Sequence, residues 1–269
     1  MNYRHAFHAG NFADVVKHLA LVAILLHLRR KDAPFAVIDT HAGRGRYDLT
    51  GAEASRTSEA ADGIGRLGAV EADGALGEYL RLARGGSSYP GSPLLAAALL
   101  RPQDRLVAIE KQPAEAALLK AALAGLRNAR AEEGDGYLRL PALLPPPERR
   151  GLVLIDPPFE APDEFAAQAQ ALTAALRRFA TGIYLLWFPI KSAAEANAFC
   201  GEILASGAKK VLRVDLDLGL RDAEKLSATG LIVINAPYGF AQEMEAVLRR
   251  IAPLLAPNAR ADVRVLAGD

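Results

Sequence analysis

Apolar residues come along this chain in two kinds of run, and the two alternate. Short solid runs appear in FAVID (35–39), RLVAIE (105–110), GLVLID (151–156), GIYLLWF (182–188) and GLIVIN (230–235). A run apolar on both faces suits a strand buried between two layers. Between the runs, apolar residues recur every three or four positions, as on one face of a helix. That spacing predicts helices over 11–31, 94–101, 113–127, 162–179, 192–206 and 240–254. A further short strand is expected in ARAEEGDGY (129–137). Strands separated by helices of this length predict an α/β fold with a mostly parallel sheet covered on both faces. The last two strands, in KKVLRVDLDL (209–218) and GLIVIN, have no helix between them and predict an antiparallel hairpin at one edge. Seven strands are expected in all.

End signals refine the helices. Asn11 is placed to cap the first, and Arg29, Arg30 and Lys31 suit its C-terminal dipole. Ser92 followed by Pro93 reads as another start, with serine as the N-cap. Residues 50–90 are rich in Ala, Gly, Glu and Arg with weak periodicity, and read as a small, mostly helical insertion. The expected organisation is therefore a main domain of residues 1–49 and 91–269 carrying a subdomain of residues 50–90.

Composition narrows the class without naming a ligand. A chain of 269 residues that is 51% hydrophobic suits one large domain with an insertion. A formal net charge of +1 means that any basic surface must be local. The single cysteine, Cys200, excludes a disulfide framework and a thiolate metal site. LALVAILLHL (19–28) is interrupted by His27 and followed by Arg29, so it predicts a buried helix, not a membrane span. No signal pattern opens the chain. The expectation is a cytoplasmic protein with no membrane partner.

Candidate chemistry gathers where strands end. FAVID stops on Asp39 and runs into THAGRGRY, where Gly43 and Gly45 let the backbone pass close to a nucleotide-type ligand. The third glycine of a dinucleotide fingerprint is missing, which argues against a pyrophosphate site. Glu110 ends the second strand, and an acid there matches a vicinal ribose diol. Asp135-Gly136 follows the third strand, where a carboxylate can accept from an adenine amino group; a plain Asp-Gly turn is the competing reading. The fourth strand ends in Asp156-Pro157-Pro158-Phe159. Two prolines remove two amide donors, so a carboxylate and the Pro157 carbonyl form a double acceptor for an exocyclic NH2 group. Phe159 offers a flat face to a base. The histidines fall at 5, 8, 18, 27 and 41; no zinc spacing appears among them, so no metal is expected. On the first helix Asp14, Lys17 and His18 share a face. His41, inside the glycine loop, reads as a ligand contact, and His27, among leucines, as structural. A polar N-terminal tail and helix, residues 1–31, would fold over the site. Arg4, Lys17, Arg44, Arg46, Arg149 and Arg150 are candidate phosphate contacts near its mouth.

Together these residues resemble class I S-adenosylmethionine-dependent methyltransferases acting on adenine N6. NYRHAFHAGNFADVVKH, DTHAGRGRYDL, YPGSP, LIDPPFE and RRFATGIYLLWFP resemble, more narrowly, the RlmJ family of bacterial 23S ribosomal RNA adenine-N6 methyltransferases. The resemblance implies a Rossmann-like methyltransferase fold with a helical insertion, and S-adenosyl-L-methionine as cofactor. It implies Asp156 as catalytic residue, with His18, His41, Ser92, Glu110, Asp135 and Gly136 at the cofactor and Tyr3 handling the RNA. The partner implied is 23S ribosomal RNA, free or in an early assembly intermediate, and a monomer is expected. Many family members read DPPY; Phe159 keeps the ring and loses the hydroxyl. NAPY (235–238) resembles the same tetrapeptide but belongs to the late hairpin and is not expected to be catalytic. Two other readings stay open: an amino-methyltransferase with another acceptor, such as DNA adenine or a protein side-chain amide, and a non-catalytic nucleotide- or RNA-binding Rossmann domain.

Overall fold

A computed structural model describes residues 7–51, 57–84, 86–220 and 226–268. Helix α1 (Phe12–Arg29) begins as its sequence predicts: the Asn11 side chain accepts from the Asp14 amide at 3.0 Å. Nearly every residue of α1 up to Leu25 is buried, which explains a helix apolar almost all round.

Eight strands form one sheet: β1 (Ala36–Asp39), β4 (Arg105–Glu110), β5 (Ala129–Glu133), β6 (Gly151–Ile155), β7 (Ile183–Pro189), β8 (Val211–Asp217), β9 (Ala228–Ile234) and β10 (Arg260–Ala267). Their spatial order is β10-β8-β9-β7-β6-β1-β4-β5. Strands β5, β4, β1, β6 and β7 run parallel. Helices α5 (Pro113–Ala122), α6 (Gly136–Leu143), α7 (Glu164–Arg178) and α8 (Ala193–Ala205) carry the crossovers. Alternate residues of a single run enter different cores. Leu152 and Leu154 pack with α1, whereas Val153 and Ile155 pack with Leu172 and Phe199 of α7 and α8. Burial on both faces is why those runs are solid.

Two features of the sheet differ from expectation. Strand β9 pairs antiparallel with both β7 and β8, so the late hairpin lies inside the sheet. The edge is an eighth strand, β10, antiparallel to β8. Its sequence interleaves arginine and aspartate with valine, and most of it is exposed, so no solid apolar run marks it. Helix α9 (Phe240–Leu255) precedes it.

Between β1 and β4 the chain forms a separate two-stranded pairing, β2 (Arg46–Asp48) with β3 (Ser88–Pro90). This pair frames α2 (Glu59–Asp62), a 3-10 turn (Ile64–Leu67) and α3 (Gly74–Ala83). Leu76, Tyr79 and Leu80 of α3 are buried in the same core as α1. Glu59 accepts from His8 Nδ1 at 2.9 Å and from Asn11 Nδ2 at 2.9 Å, and the Ile64 amide donates to the Gly10 carbonyl at 2.8 Å. The segment leading into α1 is thus held by Glu59 and Ile64. Helix α4 (Ser92–Leu99) returns the chain to the sheet, capped by Gly91 and not by the expected Ser92. Among the described residues no helix is long and apolar enough to cross a membrane.

Candidate active site

The chain passes from β1 outward through β4 and β5 and then crosses back to place β6 on the other side of β1. The crevice above the carboxyl ends of β1 and β6 is the switch point where ligands bind in doubly wound folds. Asp39, Glu110, Asp135 and Asp156 all stand at or just beyond strand ends along this rim. Four acids far apart in sequence are gathered here because parallel strands point the same way.

Asp39 is buried, and its Oδ2 accepts from Ser92 Oγ at 2.6 Å. Ser92 therefore does not cap α4 because its hydroxyl is turned toward this carboxylate. Burial pushes the Asp39 carboxyl up to about 7; the Ser92 hydrogen bond opposes the rise and nearby Asp156 adds to it. In the loop beyond, Thr40 Oγ1 donates to the Leu154 carbonyl at 2.9 Å, joining β1 to β6. With that hydroxyl used as a donor, His41 Nδ1, 2.8 Å away, is its donor in turn, which leaves His41 Nε2 as an acceptor. Burial lowers the His41 imidazole to about 4, so the ring is neutral at physiological pH.

Gly43 takes φ +60, and a Cβ there would meet the Tyr47 hydroxyl at 2.2 Å. Its amide donates to Glu110 Oε2 at 2.9 Å, while Gln112 N donates to Oε1 at 2.7 Å. Glu110 thus shapes the glycine loop; burial raises its carboxyl above the ordinary range. Asp135 is the N-cap of α6, accepting from Tyr137 N and Leu138 N, and its other oxygen pairs with Lys111 at 2.9 Å. Burial would raise this carboxyl, but Lys111 and the helix amides hold it below its ordinary value. The next residue, Gly136, is required by the fold: a Cβ there would stand 2.0 Å from the Thr40 carbonyl. The close approach at this glycine is to protein backbone.

Asp156 is met from below by α1. Lys17 Nζ lies 2.5 Å from Asp156 Oδ2 and 2.7 Å from Asp14 Oδ1, with the lysine buried. Burial alone would lower the ammonium, but the two carboxylates hold it above its usual value, so it stays charged. This placement does not suit the expected phosphate contact, because the ammonium is enclosed between two acids. Asp14 also accepts from Gly10 N at 2.9 Å, tying the segment before α1 to the same cluster. His18, one position on, is buried with Nδ1 2.7 Å from the Tyr89 hydroxyl, which meets Tyr79 at 3.0 Å. The shared face of Asp14, Lys17 and His18 was legible; the contact of Lys17 with Asp156 was not.

Beyond Asp156, Pro157 is buried and no described group donates to its carbonyl. Phe159 takes φ +51 and sets its ring edge-on against Phe165 and Trp187, at 4.7 and 5.6 Å between centroids. Gln168 Nε2 ties the Ile155 and Trp187 carbonyls together at 3.1 Å each, fixing the ends of β6 and β7 beside the motif. Tyr137 donates to Glu164 Oε1 at 2.7 Å and meets the His41 ring at 4.8 Å. Trp187, Gln168 and the Tyr137–Glu164 pair carried no signal in the sequence beyond their places next to motifs.

Other candidates fall elsewhere. Tyr3 and Arg4 lie outside the described residues. Arg44 forms a two-point pair with Glu115 at 2.7 Å, and Arg46 bonds Ser88 Oγ at 3.2 Å. Arg149 and Arg150 precede β6 and stand at the opposite rim, where Arg150 donates to the Leu28 and Ala33 carbonyls at 2.6 and 2.9 Å. NAPY is at that far rim too. Asn235 there holds the Ala180 and Gly182 carbonyls at 2.9 and 2.7 Å, which is a structural task.

Comparison with known proteins places this geometry in a family. The family model described as "Ribosomal RNA large subunit methyltransferase D, RlmJ" matches residues 32–265. The chain is 40% identical over 266 residues to the ribosomal RNA large subunit methyltransferase J of Escherichia coli, covering 96% of this chain and 95% of that one. It is 36% identical over 267 residues to the protein of the same name from Haemophilus influenzae, again covering 96% and 95%. A crystal structure of a Legionella pneumophila protein superposes with a TM-score of 0.90 at 34% identity, covering 96% of this chain and 98% of that one. The chain belongs to the RlmJ family of ribosomal RNA large subunit methyltransferases.

Proposed function

We propose that this protein methylates the exocyclic N6 of an adenine in 23S ribosomal RNA, with S-adenosylmethionine as methyl donor. The observation that carries the reading is Asp156, held at the switch point by Lys17 and followed by a buried proline whose carbonyl accepts from no described group.

The residues present fit the donor. Among the described residues Glu110 is engaged only by backbone amides, which suits a ribose diol. His41 is neutral with a free acceptor nitrogen, and Asp39 with Ser92 lines the crevice floor beside Asp156. His18 is buried behind Lys17 on α1 with its Nδ1 on the Tyr89 hydroxyl, and Asp135 with Gly136 shapes the loop over β5. Bound there, S-adenosylmethionine would supply an electrophilic sulfonium methyl, its S–C bond breaking to leave a neutral thioether.

The chain's own residues prepare the acceptor. An adenine amino nitrogen is a poor nucleophile because its lone pair is delocalised into the ring. Lys17 occupies Asp156 Oδ2, which leaves Oδ1 to accept one N–H while the Pro157 carbonyl accepts the other. Two acceptors set apart in space draw the nitrogen toward tetrahedral geometry and localise its lone pair. Much of the rate gain is then positioning. Asp156 takes the proton released as the N–C bond forms, and Lys17 offsets the carboxylate charge until it does. A base must leave its stack to reach this crevice, so single-stranded or loosely paired RNA is the substrate. Phe159 supplies an aromatic wall and no hydroxyl.

Incubation with labelled S-adenosylmethionine and, separately, protein-free ribosomal RNA, duplex DNA and intact large subunits tests the reading. Label is expected in the protein-free RNA. Label confined to DNA, or absent from every acceptor, would overturn it.

A further inference from the structure

The cations of this chain divide by place. At the site mouth and along the helices most are paired, as in Arg44–Glu115, Lys111–Asp135, Arg81–Glu78 and Arg249–Glu245 at 2.7–2.9 Å. Along the rim where the parallel strands begin, Arg101 and Arg105 are paired with Asp104 and Glu148 at 2.8 and 2.9 Å, but five other cations are not. Lys31 stands before β1, Arg149 before β6, Arg177 and Arg178 before β7, and Lys209 before β8. All are exposed, and none has an ion-pair partner among the described residues. Strands β1, β6, β7, β9 and β8 are consecutive neighbours, so these side chains fall in one row. At about 4.8 Å per strand the row runs roughly 20 Å, long enough to follow a nucleic-acid backbone over several phosphates.

An aromatic ring stands in the same row. β9 ends at this rim, where Ile234 pairs with Tyr184 and Val211, and the chain then turns through Tyr238, which is 97% exposed. The turn is fixed by the Asn235 side chain on the Ala180 and Gly182 carbonyls and by Asn235 N to the Lys210 carbonyl at 3.2 Å. A nearby group senses the positive potential: His27 is lowered first by burial and then by Arg30, Arg150 and Lys31.

Cations in the last turn of a helix often do no more than complement its dipole. That accounts for Arg177 and Arg178. It does not account for Arg149 or Lys209, which lie in loops beyond any helix, or for an almost fully exposed tyrosine among them. The geometry points to a second RNA contact at the rim opposite the active site, in which the cations follow phosphates and Tyr238 stacks on an unpaired base. This inference rests on the reading of the chain as a ribosomal RNA methyltransferase. It assigns to the far rim the task of holding a long substrate while the acidic mouth admits one flipped adenine.

The test compares the wild type with the Lys31→Gln, Arg149→Gln, Lys209→Gln triple variant and, separately, with Tyr238→Ala. Binding of protein-free 23S ribosomal RNA is measured across potassium chloride concentrations, together with methyl-transfer KM and kcat. The triple variant is expected to flatten the plot of log affinity against log salt by about two to three, close to one for each phosphate no longer neutralised. KM for the RNA should rise on the order of tenfold at physiological salt, with kcat and S-adenosylmethionine affinity unchanged. Tyr238→Ala should weaken RNA binding without changing the salt slope. Unaltered slope and KM in the triple variant would overturn the proposal. So would a loss of binding to anionic phosphatidylglycerol vesicles with RNA binding intact, which would make the rim a membrane contact. A wild type that transfers no methyl to RNA would instead sink the methyltransferase reading, and the RNA-binding slope would still decide this one.

Discussion

In the proposed reaction the Asp156 carboxylate accepts one N–H of an amino group and cannot be free to turn; Lys17, 2.5 Å from its Oδ2, holds it. The ammonium also separates Asp156 from Asp14, and its removal leaves two acids facing one another in a largely buried place. Lys17→Met is therefore expected to destabilise the fold by about 3–5 kcal/mol, the usual cost of breaking a buried ion pair from one side. Denaturant unfolding measures this, and a change below about 1 kcal/mol would contradict the buried pairing. Asp39 offers a pH signature. Its carboxyl is raised from 3.8 to about 7 in the folded chain, so the native state binds the proton more tightly than the unfolded state. Its contribution to stability is full below about pH 4 and is lost as pH rises through about 7. Denaturation midpoints should fall across that window for the cofactor-free protein and fall less for Asp39→Asn. Removal of the opposing hydrogen bond in Ser92→Ala should move the Asp39 midpoint further up, which carboxyl-carbon NMR reads directly. At this scale the sequence displayed the acids and glycines at strand ends, because those positions are set by solid apolar runs. It did not display that Ser92 turns toward Asp39, or that Lys17 faces inward, because both depend on which elements the sheet order makes neighbours.

Elements carry the next constraint. Helix α6 begins where it does because Asp135 caps it, and it packs against β1 because Gly136 has no side chain. Gly136→Ala would force a methyl against the Thr40 carbonyl and push α6 from the loop that carries His41. The expected outcome is a lower melting temperature together with weaker S-adenosylmethionine binding in calorimetry. A variant that binds as the wild type does would show that this packing is not what positions the loop. The parallel strands and major helices were legible because burial on both faces, or on one stripe, leaves a period in the sequence. Strand β10 was not, since an exposed edge needs no apolar face. The lodging of β9 between β7 and β8 was not legible either, because local pattern specifies a strand and says nothing about its neighbours.

On the scale of the whole molecule, a formal net charge of +1 conceals an unequal distribution. Acids cluster above the carboxyl ends of the strands and unpaired cations lie at the opposite rim, a separation that follows from topology and could not be read from composition. The stretch between β2 and β3 and the segment before α1 are joined through Glu59, which receives both His8 and Asn11. The same segment reaches Asp14 through the Gly10 amide, and Asp14 reaches Asp156 through Lys17. Glu59→Gln should therefore lower both stability and methyl-transfer rate although it lies outside the crevice; a normal rate in the folded variant would separate the two regions. The central claim is that Asp156 activates an adenine amino group for methylation. Its most direct measurement is mass spectrometry of nucleosides from protein-free 23S ribosomal RNA treated with S-adenosylmethionine and either the wild type or Asp156→Ala. The account predicts N6-methyladenosine from the wild type and none from the variant, with S-adenosylmethionine binding retained by both. Methylation at a different atom or base, or undiminished N6-methyladenosine from the variant, would contradict it.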